Sequence, residues 1–552
     1  MNRVQLKLIS SLEKVFPDQA PIDYPEEAPL SGMTNEVISF QAAFCGDWDD
    51  AGRKDYVTLV VDSPLKEYIR LRRVRCVPVM LAAFEDSDDN YLRKDAGLYP
   101  DLLENVSLSR LRMLNHVWQS VWVDIESEAG LPAGTYPIRF ALVNDDGETL
   151  AEAEKSVTII AAALPEQKLI HTKWFYADCL ASYYNVEVFS EEHWRIVENF
   201  AASAAKRGIN MLLTPIHTPP LDTRVGTERP TVQLVDVYVN DGKYSFGFEN
   251  LERWVRMGQR VGMKYFEMAH LFTQWGAGFT PKIVANVDGV MKRIFGWDVP
   301  VGESYGEFLS QYLPALTAEI KRLGIADVTR FHISDEPNSK HLEQYLASKK
   351  LAAPYLEGFT IMDALSDYAF YTQGVVTSPV PATNHIEPFL EGNVPNLWTY
   401  YCVGQYKEVS NMFLAMPSAR NRILAEQLYK FNIKGFLQWG FNFYYSQYSD
   451  YLVDPHYVTD ADGFAPAGDA FQVYPGRGGV PEESIRMMVT SQAMYDLRAM
   501  ELLESLTSRE HVMAIMEENL SEPITFKKYP HLAQWLLNFR AKINREIAAN
   551  LK

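Results

Sequence analysis

From Ile170 to Leu506 the chain repeats one rhythm, a short apolar run followed by a helical pattern. No other feature narrows the fold as much. Strands that alternate with helices build a parallel sheet, because each crossover helix returns over the sheet face and covers it. The runs are IHTKWFY (170–176), INMLLTP (209–215), MKYFEMAH (263–270), VTRFHIS (328–334), FTIMDAL (359–365), VVTSPVPA (375–382), LWTYYCV (397–403) and IKGFLQWG (433–440). Helical patterns between them include EEHWRIVENFAASAAKRG, which Gly208 ends as a C-cap would, and YGEFLSQYLPALTAEIKRLG. Eight such alternations predict a (β/α)8 TIM-like barrel with insertions.

The stretch before this barrel reads differently. EVISFQAAF, DYVTLVVDS, YIRLRRVRCVPVML, SVWVDIES, GTYPIRFALVND and KSVTIIAA carry period-two apolar patterning, as strands of an antiparallel β-sandwich do. The acid-rich stretch 84–105, FEDSDDNYLRKDAGLYPDLLEN, is expected to be a solvated loop, or else a lid over the neighbouring domain's site. Residues 509–552 are amphipathic and helical. The chain is therefore expected to be an α/β protein with a sandwich at 1–165, a catalytic barrel at 166–508 and a helical extension at 509–552 that packs on the barrel.

A chain of 552 residues is too long for one ordinary core, which agrees with this division. Its net charge of −19 argues against nucleic acid, whose phosphates demand a basic face, and against an anionic membrane surface. No run of about 18 apolar residues offers a membrane span. The N-terminal MNRVQLKLISSLEKVFPDQAP lacks the apolar run and cleavage site of a signal peptide, so a cytoplasmic location is expected. The four cysteines are widely spaced with no Cys-x-x-Cys, as reduced thiols would be. The eleven histidines show no His-Glu-x-x-His spacing, so no catalytic metal is expected. GRGG at 476–479 reads as a turn, and no Gly-x-Ser-x-Gly elbow occurs.

In a barrel of this kind the active site lies at the C-terminal strand ends. The residues that follow the runs there are Trp174, Tyr176 and Asp178; Thr214, His217 and Thr218; His270, Gln274 and Trp275; His332, Asp335 and Glu336; and Tyr400, Tyr401, Trp439, Asn442 and Tyr445. Flat aromatic faces mixed with hydroxyl-binding groups suit a sugar, and a glycan is the expected partner. Trp174, Tyr176, Asp178, Thr214, His217, His270, Trp275, His332, Tyr400, Trp439 and Asn442 are the candidate substrate-binding residues.

Asp335 and Glu336 are the candidate catalytic residues. Most glycosidases place two carboxylates on different strands, across the scissile bond. Adjacent acids straddle a sugar poorly. They do fit a substrate whose own 2-acetamido oxygen attacks the anomeric carbon. One acid then orients the acetamido N–H, and the other protonates the leaving oxygen and later activates water. The shorter Asp335 suits the first role and Glu336 the second, with Asp335 as a like-charged neighbour helping to raise the pKa that proton transfer needs.

HTKWFYADCLASYYNVEVFSEEHW, NMLLTPIHTPPLDT, HLFTQW, FHISDEP, NLWTYYCVGQYKEVSNMFLAMPSARNRIL, GFLQWGFNFYYSQYS and GDAFQVYPG, in this order, resemble glycoside hydrolase family 123 over residues 165–508. The resemblance implies retaining, substrate-assisted hydrolysis of terminal β-linked N-acetylgalactosamine, without a cofactor. It maps the family's Asp-Glu pair onto Asp335 and Glu336. Founding members act on glycan ends outside the cell, so the absence of a leader departs from their pattern. Two other readings stay open at this point. One is a two-carboxylate glycosidase with Glu336 facing Asp178 or Glu267. The other is a carbohydrate-binding barrel without catalysis.

Overall fold

The computed structural model describes residues 3–22, 24, 30–48, 55–106, 108–224 and 227–551. Its N-terminal part holds two five-stranded sheets. One runs in the order Arg3–Ser10, Ile38–Asp47, Gln119–Ile125, Ile69–Val79, Gly97–Glu104, all antiparallel. The other runs Leu30–Met33, Thr149–Ile160, Gly134–Asn144, Asp55–Asp62, Leu111–Met113. It is antiparallel except for Leu30–Met33, which lies parallel to its neighbour. Phe40, Val57, Val123, Phe140 and Ile159, drawn from both sheets, share one buried apolar cluster. Alternating side chains give this result when one face of each sheet turns away from water.

The acid-rich stretch 84–105 departs from its expectation as a solvated loop. Gly97–Glu104 is a strand paired with Ile69–Val79, and its Tyr99 and Leu103 are fully buried. Residues before it clasp the flank of the C-terminal part. Asp88 makes a two-pronged ion pair with Arg420 at 2.7 and 2.8 Å. The Leu92 N–H donates to the Ala415 carbonyl at 2.8 Å.

The C-terminal part is built on an eight-stranded parallel sheet. Its strands are β1 (Ile170–Lys173), β2 (Met211–Thr214), β3 (Tyr265–Met268), β4 (Thr329–Phe331), β5 (Thr360–Ala364), β6 (Ser378–Val380), β7 (Trp398–Tyr400) and β8 (Gly435–Gln438). The neighbours run β6-β5-β4-β3-β2-β1-β8-β7. An isolated parallel bridge between Ala382 and Tyr400 joins the two ends, so the sheet is barrel-like. The strands are short and buried on both faces, as all four residues of β2 are, and so they read as continuous apolar runs.

Between β2 and the helix Glu303–Arg322 two hairpins are inserted, Asp236–Asn240 with Lys243–Gly247 and Ile283–Val287 with Val290–Phe295. They form a separate four-stranded sheet. At the end of the chain the helix Ala533–Asn550 packs on Ile485–Leu506 and on the N-terminal sheets. Its Arg540 reaches Asp496 at 2.6 Å and Glu36 at 2.7 Å. A second buried ion pair links the two parts. Arg486 holds Asp101 at 3.0 Å while donating to the Gly468 and Phe471 carbonyls, both at 2.6 Å. No helix among the described residues is long and apolar enough to cross a membrane.

Candidate active site

The acid pair sits just beyond β4, and the chain around it is tied on three sides. Asp363 at the end of β5 accepts the Ile333 N–H at 2.8 Å and the Ser334 N–H at 3.3 Å. The Trp275 N–H, from the loop after β3, donates to the Asp335 carbonyl at 2.8 Å. The Glu336 N–H donates to the Ala364 carbonyl at 2.9 Å. Glu336 itself has a left-handed backbone, with φ of +45°. A β-carbon makes that conformation costly, so the three ties are what hold the glutamate in it.

The pair opens into a cavity of about 230 Å³. Trp174, Tyr176 and Trp439 wall it, with Leu221, Leu437 and Phe464 between them and Trp275 on the rim. The wall polar groups are mostly taken up by the protein itself. The Trp174 indole N–H donates to Glu267 Oε1 at 2.9 Å, the Tyr176 hydroxyl to the Trp439 carbonyl at 3.0 Å, and the Trp439 indole N–H to Asp469 Oδ2 at 2.8 Å. The Tyr400 hydroxyl donates to Glu336 Oε1 at 2.6 Å. Gly440 lets the Asp469 segment approach this closely, since a β-carbon there would stand 2.5 Å from the Ala470 backbone. On the far side of Glu336 and Tyr400 a second cleft, of about 380 Å³, is lined by Asn338, Asp367, Asn384, His385 and Gln405.

Burial raises the Asp335 carboxyl well above its usual range, and the adjacent Glu336 charge raises it further. His332 works in the opposite direction. Burial alone would neutralise that imidazole, but Asp363 and Glu267 outweigh it and lift His332 to about 9. Its Nε2 lies 2.6 Å from Glu267 Oε1, and Nδ1 is 3.7 Å from Asp363, an ion-pair rather than a hydrogen-bond distance. An imidazolium thus lies beneath the acid pair. His270 stacks on it at 4.3 Å and stays neutral, since burial and the His332 charge push its pKa down. Burial also lifts Asp469 to about 7 and Asp222, on the cavity wall, to about 6.

The structure divides the candidate residues into two layers. Asp335, Glu336, Trp174, Tyr176, Trp275, Tyr400 and Trp439 line the cavity. Six others do not reach it. Asp178 is buried in a two-pronged ion pair with Arg229, at 2.7 and 2.8 Å, whose remaining arm donates to the Leu221 carbonyl. Thr214 bonds back to the Leu212 carbonyl, and His217 bonds the His270 carbonyl. His270 and His332 form the stack described above. Asn442 brackets the Tyr176 backbone, accepting its N–H at 2.9 Å and donating to its carbonyl at 3.0 Å. Sequence position places these six at the correct end of the barrel but not on its inner surface. Leu221, Asp222 and Phe464 line the cavity without a signal in the strand pattern, because they sit in long loops. Among the described residues no group of three His, Cys, Asp or Glu side chains is placed to hold a metal ion.

The sequence matches the glycoside hydrolase 123 catalytic domain over residues 174–503. In sequence, no curated protein matches the chain. In structure it resembles a family 123 glycoside hydrolase from Clostridium perfringens, described for the details of glycolipid glycan hydrolysis. That likeness has a TM-score of 0.72 at 13% identity and covers 99% of this chain and 98% of the other. A family 5 mannosidase from Rhizomucor miehei aligns at 12% identity, covering 63% of this chain and 95% of its own, but with a TM-score of only 0.33. The β-glucuronidase of Parabacteroides merdae aligns at 9% identity over 90% of this chain and 52% of its own, with a TM-score of 0.31. Both scores are too low to bear on the fold. The domain match, which spans more than half the chain and contains the cavity and its acid pair, shows that the protein belongs to glycoside hydrolase family 123.

Proposed function

We propose that the protein is an exo-acting, retaining β-N-acetylgalactosaminidase that uses the substrate's own acetamido group as nucleophile. On this reading a (β/α)8 barrel, residues 166–508, carries the chemistry behind a β-sandwich, with the helical extension from 509 bracing both. The observation that carries it is the adjacency of Asp335 and Glu336 on one wall of a cavity the size of a single sugar ring. Neither acid faces the other across a ring, and the two other candidate acids, Glu267 and Asp178, are taken. Glu267 accepts from Thr172, Trp174 and His332. Asp178 is locked to Arg229.

The geometry supports a specific sequence of steps. Before substrate arrives, burial favours the proton on Asp335. An acetamido N–H arriving at Asp335 favours its carboxylate and passes the proton to Glu336. Glu336 then protonates the glycosidic oxygen as the C1–O bond breaks, and the acetamido oxygen forms a bond to C1. The ring so formed carries a positive charge that Asp335 neutralises. Water enters from the vacated side, Glu336 takes its proton, and the water oxygen bonds to C1 as the C1–O bond to the acetamido oxygen breaks, with net retention. The leaving group occupies the second cleft, whose amide and carboxylate lining suits a sugar better than a lipid tail.

The direct test is hydrolysis of aryl β-N-acetylgalactosaminide and β-N-acetylglucosaminide by wild type, Asp335→Asn and Glu336→Gln. Wild type is expected to cleave at least one of them and both variants to lose activity by about 100-fold or more. If wild type cleaves neither, or if both variants keep full activity, the proposal is wrong. An N-acetyl thiazoline that mimics the cyclised intermediate is expected to inhibit tightly.

A further inference from the structure

The cavity wall has few polar atoms left to read a sugar's hydroxyls. Trp174, Tyr176, Trp439 and Tyr400 all spend their donors on protein acceptors. Apart from the acid pair, the Cys402 thiol and the half-exposed Trp275 indole N–H on the rim, the polar side-chain atoms of the lining without a hydrogen-bond partner among the described residues are Asp222 Oδ1 and Gln274 Nε2.

Both groups are fixed in place. The Asp222 N–H donates to Gln274 Oε1 at 2.8 Å, which leaves the Gln274 amide NH2 as a free donor. Asp222 Oδ2 accepts the Tyr448 N–H at 3.1 Å, and the Asp222 carbonyl accepts the Ser449 hydroxyl at 2.7 Å. Asp222, Tyr448 and Ser449 hold left-handed backbones, with φ of +45°, +59° and +59°. Arg229 anchors the neighbouring Leu221 carbonyl at 2.9 Å. One free acceptor and one free donor therefore stand side by side on a rigid base. That arrangement complements two vicinal hydroxyls, each of which both donates and accepts.

The order around the barrel says which hydroxyls they are. Glu336 lines the second cleft, where the proposed mechanism puts the leaving group on C1. Asp335 comes next, at C2. The loop after β3 is bonded to Asp335 through Trp275 and carries Gln274, and the loop after β2 carries Asp222. Passing from the end of β4 to β3 to β2 thus follows the sugar ring from C1 to C2 to C3 and C4.

We propose that Asp222 and Gln274 form the hydroxyl-reading end of the cavity, contacting the C3 and C4 hydroxyls and deciding between the two C4 epimers. The inference rests on the acetamido-sugar reading above. Asp222 remains a carboxylate at neutral pH, since burial raises it only to about 6, and so serves as the acceptor.

The test compares wild type, Asp222→Ala, Asp222→Asn and Gln274→Ala on 4-nitrophenyl β-N-acetylgalactosaminide and its gluco epimer. Wild type is expected to prefer one epimer. Asp222→Ala is expected to lose about 100-fold or more in kcat/KM on that epimer and to bring the two within about threefold of each other. Gln274→Ala should lose about tenfold with partial loss of preference. Asp222→Asn should unfold no lower, and at pH 7.5 somewhat higher, than wild type, because a desolvated charge is removed. A merely structural aspartate would show a lower melting temperature instead. Four results overturn the inference: a wild type indifferent to the epimer, an epimer ratio unchanged in Asp222→Ala, equal loss on both epimers, or a lowered Tm in Asp222→Asn. Wild type inert on both sugars would sink the acetamido-sugar reading itself, whereas acetamido-dependent turnover with an unmoved ratio sinks only this inference.

Discussion

The Tyr400 hydroxyl lies 2.6 Å from Glu336 Oε1 and donates to it. Burial and the Glu336 charge hold the phenol well above its usual pKa, so it stays a donor throughout the working range. One carboxyl oxygen of Glu336 is thereby fixed, and Oε2 is left for the glycosidic bond in the proposed mechanism. Tyr400→Phe removes this bond with little change in shape. A hydrogen bond to a charged group is worth about 1.5–3 kcal/mol, so kcat should fall by about tenfold to a hundredfold. KM should move far less, and a steady-state comparison with wild type reads both.

His332 makes stability depend on pH. Its folded pKa of about 9 exceeds the ordinary value of 6.5. The stabilisation is therefore fully present below about 6.5 and is lost as pH rises through about 9. The shift corresponds to about 3 kcal/mol at most. Thermal unfolding between pH 6 and 10 should show a falling Tm in wild type and a flatter profile in His332→Gln. Parallel profiles would mean that His332 is not the group responsible.

Asp178 and Arg229 are both fully buried and satisfy each other. Removing one partner strands the other charge, at a cost of about 3–5 kcal/mol. Asp178→Asn should therefore lower stability strongly while the folded fraction keeps a near-wild-type KM. Denaturant unfolding and enzyme kinetics on the same sample separate these effects. A raised KM with unchanged stability would make Asp178 a substrate ligand after all.

Asp469 acts on the cavity through Trp439, whose indole it holds at 2.8 Å. Asp469→Asn keeps an acceptor for that N–H, and Asp469→Leu does not. The leucine variant should raise KM by about tenfold with a smaller change in kcat, and the asparagine variant should restore it. Equal KM values in the two variants would separate Trp439 placement from Asp469.

The sequence carries the barrel strands openly because they are buried on both faces and read as unbroken apolar runs, as MLLT at 211–214 does. The inserted hairpins escape notice because strands such as Val290–Phe295 are largely exposed and follow no apolar pattern. Gly97–Glu104 is hidden by the acids of the preceding turn, although its own Tyr99 and Leu103 are core residues. At the site, strand-end position marks the correct face of the domain. It does not say whether a side chain points into the cavity, as Trp174 does, or beneath it, as His332 and Asn442 do. Buried partners decide that. Arg229, which draws Asp178 away from the cavity, lies 51 residues along the chain.

The central claim is that the substrate supplies its own nucleophile beside Asp335 and Glu336. The most direct measurement is kcat/KM on aryl 2-acetamido glycosides whose N-acetyl group carries none, one, two or three fluorines. Fluorine withdraws electrons from the amide oxygen and weakens its attack on C1. The account predicts a steep, monotonic fall across the series, by orders of magnitude from the acetyl to the trifluoroacetyl substrate. A flat series, or equal activity on the plain β-galactoside, would contradict it.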